Sequence, residues 1–146
     1  MRELIILGGG AAGLMAAIQA ARAGAKVTII EHQSACGKKL LATGNGRCNL
    51  TNTQIRADSY HSHAPGTVAE VLQHFTISDT LDFFSGLGLF FRDKNGWIYP
   101  YSLQARTVLH LLLTEAAHLG VKIETQTVIQ GIRKTGTGRW ALASSA

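Results

Sequence analysis

Cysteine, proline and charge are all scarce in this chain, which has two cysteines, two prolines and 16% charged residues among 146. Cys36 and Cys48 stand 12 positions apart, with neither a Cys-x-x-Cys nor a metal-like spacing. That excludes a disulfide scaffold and makes a reducing, cytoplasmic setting the default. With so little proline beside 16 glycines, the tight turns must fall on glycine. The 14 basic residues outnumber the 9 acidic ones, for a net charge of +5, yet they come singly or in pairs such as Lys38-Lys39 and Arg133-Lys134. With no basic run and no interleaved aromatic platform, this reads as a solvated basic surface, and no nucleic-acid partner is expected. Uninterrupted apolar runs are missing too. The uncharged stretch from Leu4 to Ala21 is broken by Gly8 to Gly10 and contains Gln19, so neither a membrane span nor a signal segment is expected.

What is present is a hydrophobic content of 46%, too apolar for disorder. A chain of this length makes about one domain and buries roughly two-thirds of its unfolded surface. Its first 31 residues carry the sharpest signal. The apolar run Leu4 to Leu7 enters Gly8-Gly9-Gly10-Ala11-Ala12-Gly13, a Gly-x-Gly-x-x-Gly spacing in which each glycine has its own reason. Gly8 permits the tight turn, Gly10 lets a pyrophosphate approach the backbone, and Gly13 lets the following helix pack closely on its strand. The phosphates would lie at the helix N-terminus, against the free N–H groups of Gly10, Ala11 and Ala12, with no lysine needed.

The context supports this reading. Glu3 to Leu7 is a short strand, and Leu14, Met15, Ile18 and Ala21 recur at helical spacing with Gln19 and Arg22 between them. Gly24 stops that helix. Ala25 to Glu31 supplies a second strand, which puts Glu31 18 positions after Gly13, where a carboxylate accepts bonds from ribose hydroxyls and repels a 2′-phosphate.

Beyond Glu31 and His32 the chain turns glycine-rich and polar, through Gly37-Lys38-Lys39-Leu40-Leu41-Ala42-Thr43-Gly44-Asn45-Gly46-Arg47-Cys48-Asn49-Leu50-Thr51-Asn52. This stretch resembles the Gly-Lys-Lys-Leu-Leu-x-x-Gly-x-Gly-Arg-Cys-Asn-x-Thr-Asn signature of the BaiN/YhiN type of bacterial flavoproteins, described as NAD(P)/FAD-dependent oxidoreductases. The family usually has glycine where this chain has Asn45. The wider resemblance is to the two-dinucleotide-binding flavoproteins typified by glutathione reductase, whose extended fingerprint Ala17, Gly24, Val27 and Glu31 match. The resemblance implies FAD in the N-terminal site, with NAD(P)H a candidate electron donor for the full-length enzyme. Spacing alone does not choose between FAD and NAD.

Within the second loop, Gly44 and Gly46 allow the main chain to approach a flat ligand, and Lys39 and Arg47 offer charge-assisted donors. Asn49, Thr51 and Asn52 bond locally and fix the loop's shape. Cys48 lacks the partner that dithiol exchange needs and reads as a small packing residue near the cofactor. The resemblance also aligns Ile129 with a strand position whose backbone faces the adenine. His61-x-His63 beside Asp58 lacks a third well-spaced ligand, so no metal is expected.

Further along, Thr67 to Phe75 and Ser78 to Phe84 look helical, and Gly86 and Gly88 break the pattern. Phe90-Phe91-Arg92 and Trp97-Ile98-Tyr99 flank an Asn95-Gly96 turn, which suits a hairpin; its aromatics read as core or hairpin packing. Residues from about 55 to 100 thus form a helical and hairpin insertion. Ser102 caps a strong helix carrying Ala105, Val108, Leu109, Leu112, Ala116 and Leu119, and Gly120 ends it. Val121 to Glu124 returns to the parallel sheet. Thr127 to Lys134 and Arg139 to Ala143 make a hairpin that begins a meander.

The fold expected is α/β, a Rossmann-like parallel sheet with a βαβ dinucleotide-binding unit, an incomplete FAD-binding domain. Related flavoproteins continue well beyond this length, so the chain is expected to be the N-terminal part of a larger enzyme. The function expected is the FAD-binding portion of a flavin-dependent oxidoreductase acting on a small-molecule substrate, with no membrane partner. An inactive nucleotide-binding fragment or interaction module, and an NAD-dependent dehydrogenase domain, are the alternatives.

Overall fold

A computed structural model describes residues 2–145. In chain order the strands are β1 (Glu3–Leu7), β2 (Lys26–Ile30), β3 (Thr51–Asn52), β4 (Phe91–Lys94), β5 (Trp97–Pro100), β6 (Lys122–Glu124), β7 (Val128–Lys134) and β8 (Trp140–Ser145). The helices are α1 (Ala11–Arg22), α2 (Lys38–Ala42), α3 (Pro65–His74), α4 (Ile77–Gly86) and α5 (Ala105–His118). They fall into two compact units, one of the described residues up to Leu40 together with those from Leu112 onward, the other Leu41–Leu111. The second unit is wider than the 55–100 insertion read from sequence, because the glycine-rich loop and the start of α5 belong to it.

The first unit is the expected βαβ construction. β1 pairs parallel with β2 from Glu3↔Lys26 to Leu7↔Ile30, and β2 pairs parallel with β6 from Thr28↔Lys122 to Ile30↔Glu124. α1 crosses between β1 and β2 and buries Leu14, Ala17 and Ile18 completely, while Val27 and Ile29 of β2 are equally hidden. Burial of such side chains contributes about 1.5–3 kcal/mol each and holds helix on sheet. α1 ends where glycine predicts. Gly24 has φ +83°, its N–H donates to Ala21 O at 2.9 Å, and Ala25 N–H donates to Ala20 O at 3.0 Å, the paired bonds of a Schellman motif. Arg22, at the negative end of the helix, also bonds Glu115 at 2.7 Å. β7 and β8 form the expected antiparallel hairpin, with a register shift between Ile129 and Gly131.

In the second unit an antiparallel sheet has the order β3-β5-β4. β3 is a two-residue strand with no periodicity to read, and it was not anticipated. The β4–β5 turn falls at Asn95-Gly96, both at positive φ (+53° and +88°), as a two-residue hairpin turn requires. Thr76 caps α4 by a capping box: Asp79 N–H donates to Thr76 Oγ1 at 3.2 Å and Thr76 N–H to Asp79 Oδ2 at 2.7 Å. The helix continues through Gly86 and stops at Gly88, φ +83°.

Three sequence expectations are corrected here. Lys38–Ala42 is a short helix and not loop, since five good helix formers lie between Gly37 and the next glycine. Ser102 does not cap α5, which starts at Ala105. Its hydroxyl instead accepts from Gln104 N–H at 3.3 Å and pairs with Thr107 Oγ1 at 2.8 Å, while the first helical N–H, of Ala105, donates to Gly46 O at 2.8 Å. Two of the four hairpin aromatics are not packed. Phe90 and Trp97 are 79% and 51% exposed, because strand alternation gives the buried face to Ile98 and Pro100, while Phe91 and Tyr99 are half-buried and do pack within the hairpin. No helix among the described residues is long and apolar enough to cross a membrane.

Candidate functional site

The glycine loop of the first unit is built as its spacing demands. Gly8 takes φ +97°, closed to most side chains, and its N–H donates to Ile30 O at 2.8 Å at the end of β2. A Cβ on Gly13 would run into Gly8 O and lie 3.1 Å from Gly8 C and 3.4 Å from Ile6 Cγ2. Close packing of helix on turn therefore rests on that missing side chain. A Cβ on Gly10 would meet nothing within 4 Å, so the space over Gly10 is open. Leu14 N–H makes the first intrahelical bond, to Gly10 O at 2.9 Å. The amides of Gly10, Ala11, Ala12 and Gly13 have no acceptor among the described residues, the arrangement that favours an anion.

Glu31 lies at the carboxyl end of β2 and is buried. Its Oε2 accepts from Gly9 N–H at 2.7 Å and its Oε1 from Gln33 N–H at 2.8 Å, with His32 Nδ1 3.0 Å from Oε1. The carboxylate thus ties the glycine loop to the end of β2, a role that spacing did not reveal, and Oε2, with the Gly9 amide as its one partner among the described residues, keeps lone-pair capacity for a further donor. The Gln33 amide does most to hold this carboxyl below the ordinary glutamate value of 4.5; burial works against it, and the Gly9 amide and nearby His32 add to the lowering. A depressed folded-state pKa stabilises the protein above the unfolded value, and the contribution is lost as pH falls through the folded one. The urea midpoint is therefore expected to fall as pH drops below about 4.5, and Glu31→Gln is expected to flatten part of that fall. Parallel pH profiles for the two proteins would remove Glu31 from the loop's support.

Gly9 has a separate constraint. A Cβ there would overlap Cys36 Sγ, and Gly37 N–H donates to Gly9 O at 2.9 Å. The Cys36 thiol pKa is raised by burial, and further by the Glu31 charge, so the thiol stays protonated and packs. Gly9, Gln33 and Cys36 escaped the sequence reading. The triple glycine was the available signal for Gly9, since Gly-x-Gly does not itself ask for a middle glycine.

Two further candidates belong to the same unit. Lys39, on α2, is exposed, and its side chain has no hydrogen-bond or ion-pair partner among the described residues. Ile129 is paired with Ser144 inside the β7–β8 hairpin. The backbone beside Glu31 comes from slightly earlier residues: Thr127 N–H donates to Glu31 O at 3.1 Å and Gln126 N–H to Gln33 O at 2.9 Å. The strand entry thus pairs with the main chain just after β2.

The second unit holds Gly44, Gly46, Arg47, Cys48 and Asn49 in one tight loop. Gly44, Asn45, Gly46 and Cys48 all have φ between +54° and +78°. Asn45 stands at a left-handed position, where asparagine is among the best-tolerated substitutes for glycine. A Cβ on Gly44 would come 2.8 Å from Asn49 N. Asn49 Nδ2 donates to Thr51 O and Ile98 O, both at 3.3 Å, so its side chain pins the loop to the β3–β5 pair. The Cys48 thiol is free and buried, its pKa raised by burial and partly restored by the Thr43 side chain; it acts as a packing group. Arg47 is exposed, without a side-chain partner among the described residues.

A family profile described as "HI0933-like protein Rossmann domain" matches residues 2–146. The chain is 46% identical over 140 residues to the 3-dehydro-bile acid delta(4,6)-reductase of Clostridium scindens, covering 94% of this chain and 34% of that protein. It is 29% identical over 136 residues to the ribosomal RNA dihydrouridine synthase of Escherichia coli K12, covering 93% and 34%. It thus spans about a third of the length of these curated relatives. Among solved structures it resembles the 3-ketosteroid-delta4-(5alpha)-dehydrogenase of Rhodococcus jostii RHA1, with a TM-score of 0.71, 15% identity and coverage of 99% of this chain and 42% of that one. At that identity the likeness is one of fold.

Proposed function

Since this chain belongs to the HI0933-like Rossmann family, matched over residues 2–146, we propose that it is the FAD-binding portion of a flavin-dependent oxidoreductase. The observation that carries the reading is the open space over Gly10 beside the unpartnered amides of Gly10 to Gly13. That cradle fits a pyrophosphate and needs no cation. Glu31, its oxygens already oriented by Gly9 and Gln33, accepts ribose hydroxyls and repels a 2′-phosphate. Lys39 supplies a free charge-assisted donor in the same unit; within the second unit, Arg47 offers another and Gly44 and Gly46 leave the main chain open to a flat ligand, as the family resemblance implies. The backbone around Ile129, with Gln126 and Thr127 ahead of it, serves the adenine end, and His32 lies beside the Glu31 carboxylate. Cys48 and Asn49 keep the second loop in shape.

Bound flavin would supply two-electron hydride chemistry, and the protein supplies binding, orientation and electrostatics. The Clostridium scindens relative is named a reductase, which supports electron flow toward substrate with NAD(P)H as donor. The names of the relatives specify a bile acid and ribosomal RNA, so both a free small molecule and an RNA base fit the reading as acceptor. Two free, buried thiols suit the reducing cytoplasm.

Titrating cofactor-depleted full-length protein with FAD, and then with NAD as competitor, tests the cofactor. Saturation at one FAD per chain, undisturbed by NAD, is expected. Displacement of FAD by an equal concentration of NAD would favour an NAD-dependent dehydrogenase instead.

A further inference from the structure

Alternation along β4 and β5 sorts the hairpin into two unlike faces. The ladder pairs Arg92 with Tyr99 and Lys94 with Trp97, and Tyr101 N–H donates to Phe90 O at 2.7 Å, which extends the same pairing by one rung. Side chains of directly paired residues share a face, and alternate residues share it too. Phe90–Tyr101, Arg92–Tyr99 and Lys94–Trp97 therefore form three successive rungs on one side. The opposite side carries Ile98 and Pro100, both buried. The open side exposes 79% of Phe90, 62% of Tyr101 and 51% of Trp97.

The charge on this face has one sign. The only carboxylate in the hairpin, Asp93, alternates to the other side and accepts from Gly96 N–H at 2.7 Å. The Arg92 guanidinium lies 4.7 Å from the centroid of the Tyr101 ring, and neither Arg92 nor Lys94 has an ion-pair partner among the described residues. Covering the face with ordinary apolar protein would bury two unpaired cations, which is unfavourable. An occupant has to bring negative charge and flat π-surfaces together. Beside Phe90 and Tyr101 a cleft is also lined by Ser102 and Thr107, whose hydroxyls lie 2.8 Å apart and can bond a sugar hydroxyl.

We propose that the open face of the β4–β5 hairpin is a docking platform for single-stranded RNA. Unpaired bases stack on Phe90, Tyr101 and Trp97, Arg92 and Lys94 meet the phosphates, and the Ser102–Thr107 hydroxyl pair takes a ribose 2′-OH. Stacking requires bases that are not already paired, which separates this surface from a duplex-binding one. The proposal runs against the expectation from sequence that no nucleic acid binds. It concerns the second unit alone and stands whether or not the first unit holds FAD.

The test uses full-length protein and the fluorescence anisotropy of a labelled oligouridylate of about twelve nucleotides, with its deoxy counterpart and an RNA duplex as parallel arms. The single-stranded RNA is expected to bind tightest. Phe90→Ala/Tyr101→Ala is expected to weaken it at least about tenfold, and Arg92→Gln to lower the slope of log affinity against log salt by about one. Bound flavin should not change in either variant, which separates this result from the cofactor reading. Trp97→Ala, at the turn end of the same face, gives an independent measure should the double variant fold poorly. Equal binding of single strand and duplex, equal binding of the deoxy strand, no measurable binding of the RNA, or aromatic variants of unchanged affinity would each overturn the proposal.

Discussion

Gly10→Val in the full-length protein is expected to weaken FAD by more than about a hundredfold, a loss of about 2.7 kcal/mol or more, with the urea midpoint of the cofactor-free protein unchanged. The two halves of that expectation have separate causes. Gly10 precedes α1 with φ −76° and ψ −174°, an extended conformation that valine adopts readily. Its missing Cβ would touch nothing within 4 Å, so the protein loses no packing when a side chain is added. The isopropyl group instead fills the space in front of the unpartnered amides, where the pyrophosphate is proposed to lie. Flavin content after purification and a urea titration check the two halves together. Stoichiometric FAD retained by the variant would show that this loop is not the site.

Gly13→Val, three residues on, is expected to do the opposite and strike the fold first. The new Cβ would collide with Gly8 O, and both Gly8 C at 3.1 Å and Ile6 Cγ2 at 3.4 Å restrict any retreat. The obstructing atoms are mostly backbone at a turn already held by the Gly8–Ile30 bond, so relief requires α1 to move off β1. A cost of about 3 kcal/mol is expected, a large part of the net stability of a domain this size, read as a fall in the urea midpoint and a loss of soluble protein. An unchanged midpoint would mean that helix and turn are not packed as described. The two substitutions divide one motif into a glycine kept open for a ligand and a glycine kept small for packing.

The first 31 residues were legible because each signal there is local. Strand, helix and strand announce themselves by period, and Gly8, Gly13 and Gly24 occupy the positions that turn, packing and helix end require. The Asn95-Gly96 turn and the buried stripe of α5 were legible for the same reason. What escaped depends on contacts between distant residues. Nothing in the spacing of Glu31 says that its oxygens bind Gly9 and Gln33. Ser102 looked like a cap because capping residues are common before a helical stripe, but the Ala105 amide finds its acceptor in Gly46, 59 positions earlier. The alternation Phe90, Arg92, Lys94 and Trp97, Tyr99, Tyr101 was visible in the sequence. Which side of it faces outward was set by the burial of Ile98 and Pro100.

The central claim is that the glycine loop and Glu31 hold FAD, and it is most directly tested by identifying and counting the cofactor released when purified full-length protein is denatured. The account predicts one FAD per chain, with a flavin absorbance band in the native protein. A folded protein that is colourless and takes up no FAD, or one that releases NAD in its place, would contradict it.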